Sequence, residues 1–152
     1  MNGLIQAVQE SEVTLTSNTA SIPFADIDLR TASANCFNGW LNHNEGSPLF
    51  NILAGGIYEI TFNANITSAT AGEVGLALFT DGVQLAGTET DAVITTAGDW
   101  ESVSFNKKVR VCTRGSVTLT VNSVPTITYA GTPTTTQIPI IKNANLSIER
   151  LA

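Results

Sequence analysis

The chain has 152 residues, of which 43% are apolar and only 13% charged, and it carries a net charge of −6 with a sequence pI near 4.5. A chain of this length can bury a core without metals or a lattice of disulfides. Seven basic residues in an acidic chain argue against nucleic-acid binding, and no apolar run approaches the ~20 residues that span a bilayer. Because the first residues also lack the pattern of a secretion signal, we expect a protein made in the cytoplasm or released by lysis.

The first third of the chain predicts short strands. Residues 11–17 (SEVTLTS) alternate as a strand does, and residues 21–29 (SIPFADIDL) contain a proline that suits an edge or irregular strand. Two more short strands are expected in NCFNGWL (35–41) and PLFNIL (48–53).

The most regular strand follows in AGGIYEITFNANIT, residues 54–67. One face is apolar and is formed by Tyr58, Ile60, Phe62, Ala64 and Ile66. The intervening residues are mostly polar, so the pattern predicts a half-buried strand with period two.

Two hairpins are predicted downstream. Asp81-Gly82 separates strands at 74–80 and 83–87, and Gly tolerates the positive φ that such a turn requires. Residues 99–111 predict a long strand whose alternation changes phase around Lys107 and Lys108, although an unchanged phase fits as well because the apolar positions 103, 105, 109 and 111 are all odd-numbered. The CTRG turn then leads into a strand at 117–121, and we expect these last two strands to form the second hairpin.

The remaining segments complete an all-β chain. Residues 124–143 contain three prolines and a Thr-rich tip, which indicates a long loop or ribbon, and a final strand is expected in ANLSIERL. Together the segments give about eight to ten strands and no helix, which is typical of an antiparallel sandwich or barrel.

Residues with catalytic or metal-binding chemistry are few. His43 with Glu45 offers a general base, but a loop histidine is the favoured interpretation because no nucleophile motif accompanies it. Asp26 and Asp28 would project from one strand face, as would Glu89 and Asp91, yet calcium needs six to eight oxygens. We therefore expect no catalytic residue, no metal and no cofactor.

Two cysteines and three aromatic residues have alternative interpretations. Cys36 and Cys112 could pair, but buried free thiols are favoured in a protein made in the cytoplasm. Trp40, Trp100 and Tyr129 are candidate stacking platforms for a glycan, while a place in the core or at a subunit interface is favoured.

The order of these strands carries a resemblance. FNILAGGIYEITFNANIT, then VGLALFTDGVQLAGTE and finally ANLSIERLA resemble the jelly-roll heads of the complement-q and tumour-necrosis-factor superfamily. Among these the chain looks most like the phage and spore-surface members, the C-terminal heads of collagen-like glycoproteins. The resemblance implies a trimeric jelly roll over residues 13–152, in which the final strand lies beside the first. No collagen-like stalk precedes it, so residues 1–12 are expected to form an N-terminal arm.

The resemblance also implies where partners bind. The polar face of the long strand would lie near a threefold axis, with a trimer interface at Ile57, Glu59, Thr61, Asn63, Glu149 and Leu151. Leu4, Ile5 and Val8 suit an arm that docks on a particle, with a first strand or a frayed tail as the alternatives.

These partners predict a function. We expect a decoration or head-fibre protein on the outer surface of a phage capsid, made in the host cytoplasm, or else a receptor- or glycan-binding head of a fibre or spore surface.

Overall fold

The computed structural model describes residues 3–30, 40–112 and 117–152. Within them the chain forms fourteen strands and no helix. In chain order the strands are β1 (Leu4–Gln9), β2 (Val13–Thr14), β3 (Asp26–Arg30), β4 (Leu41–Asn42), β5 (Phe50–Ile52), β6 (Gly56–Ser68), β7 (Gly72–Thr80), β8 (Val83–Gln84), β9 (Thr90–Ile94), β10 (Glu101–Val111), β11 (Val117–Ser123), β12 (Thr126–Tyr129), β13 (Thr132–Thr135) and β14 (Pro139–Arg150). The count exceeds the predicted eight to ten partly because β2, β4 and β8 have only two residues each.

Two antiparallel sheets form the sandwich. The first has the order β10-β6-β14-β1-β3, with β2 paired to β14, and contains the three longest strands. The second has the order β4-β5-β11-β7-β8, with β9 paired to β7. The last strand, β14, lies directly beside β1, and β3 is an edge strand, as the sequence predicts. The predicted all-β jelly-roll sandwich is therefore confirmed.

The core lies between the inner faces of the two sheets. The predicted apolar face of β6 is buried throughout, with Tyr58, Ile60, Phe62 and Ile66 fully enclosed. Phe62 stacks on Phe105 of β10 with ring centroids 5.1 Å apart. In β10, the odd-numbered positions 103, 105, 109 and 111 are all buried, so the strand keeps one phase.

One predicted hairpin is confirmed and the other is wrong. Asp81 (φ 50°) and Gly82 (φ 81°) form the turn between β7 and β8, whose residues Phe79 and Thr80 pair with Gln84 and Val83. Strands β10 and β11, by contrast, lie in different sheets: β10 pairs with β6, and β11 pairs with β5 and β7. Both strands have one apolar face that packs on the core. Their adjacency in the sequence did not reveal that β10 covers the core from the first sheet and β11 from the second.

The predicted N-terminal docking arm is also corrected. Leu4, Ile5 and Val8 belong to β1, which hydrogen-bonds to β14 on one side and to β3 on the other. Ile5 is fully buried and Val8 is 7% exposed. Because these side chains and the backbone already have partners, the alternative of a first strand holds, and the segment is not free to dock.

The proline-rich segment is a ribbon followed by a strand. Strands β12 and β13 form a separate two-stranded sheet whose turn contains Ala130 (φ 49°) and Gly131 (φ 81°). Thr136 anchors its base by donating a hydrogen bond from its hydroxyl to the Val124 carbonyl at 2.6 Å. The final strand then begins at Pro139, five residues earlier than the predicted segment.

Candidate subunit interface

The outward face of the first sheet is a broad surface of uncharged polar side chains. Thr61 of β6 lies between Asn106 of β10 and Ser147 of β14, and Gln6 of β1 continues this cross-strand row. The Asn106 amide donates to the Thr61 hydroxyl at 2.8 Å, and the Gln6 amide donates to Asn145 Oδ1 at 2.9 Å. These hydrogen bonds hold the polar side chains in place on the outward face.

One end of this face is apolar. Where β6 begins, Ile57 is 41% exposed, and Leu151 lies beside it because the Leu151 N–H donates to the Ile57 carbonyl at 2.8 Å. Leu4 is half-buried opposite Glu149. Leu29 of β3 is 47% exposed on the same face, but it pairs with Gln6 and so lies at the β3 edge of the polar row. Large apolar residues grouped on one face of a sheet are typical of an interaction surface. We call Leu4, Ile57 and Leu151 the apolar end.

Four charged residues of the outward face border the apolar end. Glu59 and Glu149 stand directly opposite each other on β6 and β14, and Lys108 of β10 forms an ion pair with Glu59 at 3.3 Å. Arg110 is exposed beside Ile57. Neither Glu149 nor Arg110 has an ion pair with another residue of the described chain.

A cleft of about 510 Å³ borders the apolar end and is lined by Gly55, Gly56, Ile57, Arg110, Val111, Cys112 and Ala152. Arg150 holds one of these residues in place by donating from Nη2 to the Gly55 carbonyl at 2.8 Å. Cys112 is an exposed free thiol rather than a buried one, and Cys36 lies outside the described residues.

The six predicted interface residues lie together on this surface. Four of them occupy alternate positions on the outward face of β6: Ile57, Glu59, Thr61 and Asn63. Glu149 lies beside them on β14, and Leu151 follows directly after that strand. Sequence reasoning missed Leu4, Leu29, Lys108 and Arg110 as members of the same face. Their alternation with buried residues was visible, but the order of strands in the sheet was not.

The three predicted aromatic contacts differ in exposure. Trp40 is only 3% exposed and its ring packs against Tyr58, so it belongs to the core. Trp100 is half-buried, and the Lys142 ammonium lies 4.1 Å from its ring centroid. Tyr129 is 47% exposed next to the ribbon turn, so it is the most exposed of the three aromatic candidates.

The other candidate residues are dispersed. His43 is buried, stacks on Phe50 at 3.8 Å and shares a hydrogen bond of 2.9 Å between Nδ1 and the Leu49 carbonyl. Glu45 instead accepts from the Ile27 N–H at 3.0 Å, and Asp26 and Asp28 are exposed on β3. In the described parts of the chain, no three His, Cys, Asp or Glu side chains are grouped to hold a metal ion. Likewise, no helix there is long and apolar enough to cross a membrane.

Glu89 and Asp91 form a carboxyl pair on the second sheet. The pKa of Asp91 is raised to about 7, chiefly by burial and in part by the hydrogen bond to Glu89 and the negative charge of Glu89. Asp91 Oδ1 lies 2.5 Å from the point that a Cβ on Gly75 would occupy, although much of the Asp91 residue is open to solvent. Glu89 also accepts from the Gln84 amide at 3.1 Å.

Comparison with known proteins identifies the class of fold. No family model matches the chain, and no curated protein sequence matches it. Among solved structures, murine APRIL at pH 8.5 matches with a TM-score of 0.63 and 12% identity, covering 99% of this chain and 100% of APRIL. The globular domain of zebrafish complement 1qA protein matches with a TM-score of 0.62 and 14% identity, covering 96% and 94%. Eiger TNF from S. frugiperda matches with a TM-score of 0.58 and 7% identity, covering 100% and 92%.

These similarities establish the fold over nearly the whole chain. The molecule has the jelly roll of complement-q and tumour-necrosis-factor heads, which confirms the broader resemblance seen in the sequence. The narrower resemblance to phage and spore-surface heads stays a prediction.

Proposed function

We propose that the chain is a non-enzymatic structural protein that works as a homotrimer through the outward face of its first sheet. The observation that carries this proposal is the exposure of large apolar residues on that face: Ile57 is 41% exposed at the apolar end, and Leu29 is 47% exposed at the β3 edge of the polar row. Burying such residues is favourable by about 25 cal/mol per Å². The hydrogen-bonded polar remainder of the face would form the wetter part of the interface.

A face of this size suits the association of identical chains. Stable interfaces bury roughly 800 Å² per partner, and the face spans β10, β6, β14 and β1. The jelly-roll heads that the chain resembles form compact trimers, which supports three copies rather than two.

At a finer level, we propose a decoration or head-fibre protein on the outer surface of a phage capsid, with a spore surface as the alternative. The resemblance to phage heads and the low charge of the chain support this role. Because β1 is part of the sheet, attachment to the particle would use another surface, such as the ends of the sandwich, and affinity would be multiplied by three linked copies.

A second candidate function is a receptor- or glycan-binding head. The observation in its favour is Tyr129, which is 47% exposed on a ribbon that is not hydrogen-bonded into either sheet and packs on β7 through the buried Ile127. Aromatic side chains of this kind stack on sugar rings or anchor protein interfaces. A glycan array with the purified protein tests it: signal that is lost in Tyr129→Ala supports recognition, and no signal above background counts against it.

The trimer is tested by measuring mass in solution. A stable species near three times 16.0 kDa supports the proposal, and a monomer at micromolar concentration would contradict it. Electron microscopy of the native source, with antibody against the protein, then tests the location on a particle.

A further inference from the structure

Two charges on the candidate interface have no ion pair with any side chain that the structure describes. Glu149 pairs across the strands with Glu59, so two carboxylates face each other directly. Like charges in this position destabilise a sheet. Lys108 forms an ion pair with Glu59 at 3.3 Å, whereas Glu149 is exposed, has a like charge beside it and has no ion pair among residues 3–30, 40–112 and 117–152 as far as their side chains are described.

Arg110 has the complementary character. It lies on the same outward face, two residues along β10 from Lys108 and paired with Ile57 of β6. It is exposed, and no acidic group of the described chain is bound to it. A guanidinium is always charged and prefers a carboxylate that it can bind with two parallel hydrogen bonds.

We infer that Glu149 of one copy binds Arg110 of the next copy around the threefold axis. This inference rests on the proposed trimer and specifies its contact. In a ring of three copies each interface is heterologous, which means that two different surface regions meet. The Arg110 donor of one copy can therefore meet the Glu149 acceptor of its neighbour at each of the three interfaces. The trimer would then contain three identical ion pairs.

Charge balance supports the same partner. Beside the apolar end, the outward face carries Glu59, Glu149, Lys108 and Arg110, two acidic and two basic residues, in a chain with a net charge of −6. These four residues offer a second copy both signs of charge. Complementary charges set the register and the orientation of association more than its strength.

Charge reversal with rescue tests the pair. The measurement is the trimer dissociation constant by sedimentation at low salt for Glu149→Arg, Arg110→Glu and the double variant. Each single variant should weaken association by about tenfold or more, because each brings like charges together, and the double variant should recover most of the loss. Glu101→Arg and Lys107→Glu make the same changes in net charge at positions outside the proposed pair and serve as controls.

The neutral variant Glu149→Gln should change monomer stability and trimer stability in opposite directions. Removing the carboxylate relieves the repulsion from Glu59, so the monomer should unfold at the same or a higher urea concentration, while the trimer should dissociate more easily. A structural role alone would move both in the same direction.

The outcomes separate this inference from the proposed function. If the wild-type chain is a monomer at every concentration, both are wrong. If it is a trimer that the single reversals leave unchanged, or one that the double reversal does not restore, the trimer stands and the Glu149–Arg110 pair is wrong.

Discussion

Ile57 donates its main-chain N–H to the oxygen of Ala152 at 3.1 Å, so the beginning of β6 and residue 152 are joined beside the proposed interface. Gly56 makes this contact possible. It has φ 154°, and a Cβ at this position would overlap the Ala152 oxygen.

Gly56→Ala should therefore destabilise the fold by about 1–3 kcal/mol, because the new methyl group displaces backbone and not a flexible side chain. Urea unfolding measures the change. Gly98→Ala is the matched control, since Gly98 also has a positive φ (86°) but no atom within 4 Å of its Cβ position. A loss no larger than that of the control would show that the overlap is unimportant.

Tyr58→Phe should lower the free energy of unfolding by about 1–2 kcal/mol. The buried phenol donates to the Ala54 carbonyl at 2.6 Å, and its removal leaves that oxygen unpaired. Burial also raises the pKa of Tyr58, although the charge of Arg150 lowers it in part. Absorbance titration should show one tyrosine ionising later than a free phenol, and this late step should vanish in Tyr58→Phe while Tyr129→Phe leaves it intact.

Asp91→Asn should stabilise the protein at high pH. The pKa of this carboxyl is raised from 3.8 to about 7 in the folded chain, so the stabilisation it contributes is complete below pH 3.8 and is lost as pH rises through 7. The variant should melt at a higher temperature than the wild type above pH 7, and the two should converge near pH 4. Glu89→Gln should show the same trend more weakly, because burial is the largest cause of the shift. Equal melting curves at pH 8 would contradict the assignment.

Ile57→Asp should dissociate the proposed trimer, with a dissociation constant raised by about tenfold or more, because a charge would be buried in an apolar contact. Size-exclusion chromatography with light scattering measures the species present. Val83→Asp is the control: Val83 is 69% exposed but belongs to the second sheet. Equal effects of the two substitutions would argue against the first sheet as the interface.

Local patterns predicted the strands well. Alternation along residues 56–66 identified the buried side of β6, and Asp81-Gly82 identified a turn. Each of these two signals is carried by residues that are close together in the sequence. Pairing between distant strands was not predictable in the same way. For β10 the sequence allowed two phases, of which the unchanged one holds, and its partner is β6 and not β11, since pairing depends on contacts far apart in sequence.

The candidate interface shows the same division. One alternating strand was enough to find Ile57, Glu59 and Thr61, but Arg110 and Leu29 join them only when β10 and β3 are placed in the sheet. The N-terminal segment was ambiguous because an uncharged sequence with a few apolar residues suits an arm as well as a strand. Its two hydrogen-bonded neighbours decide between them.

The position of β14 also affects the order in which the first sheet can form. This strand follows the other described strands in sequence, yet it lies between β6 and β1 in the middle of the first sheet, where Leu4 pairs with Glu149. A nascent chain that has not reached Pro139 would carry unpaired edges on both neighbours, so the sheet can close only after residues 139–150 have been made. Such distant pairing makes folding slow and leaves the unfinished chain open to aggregation.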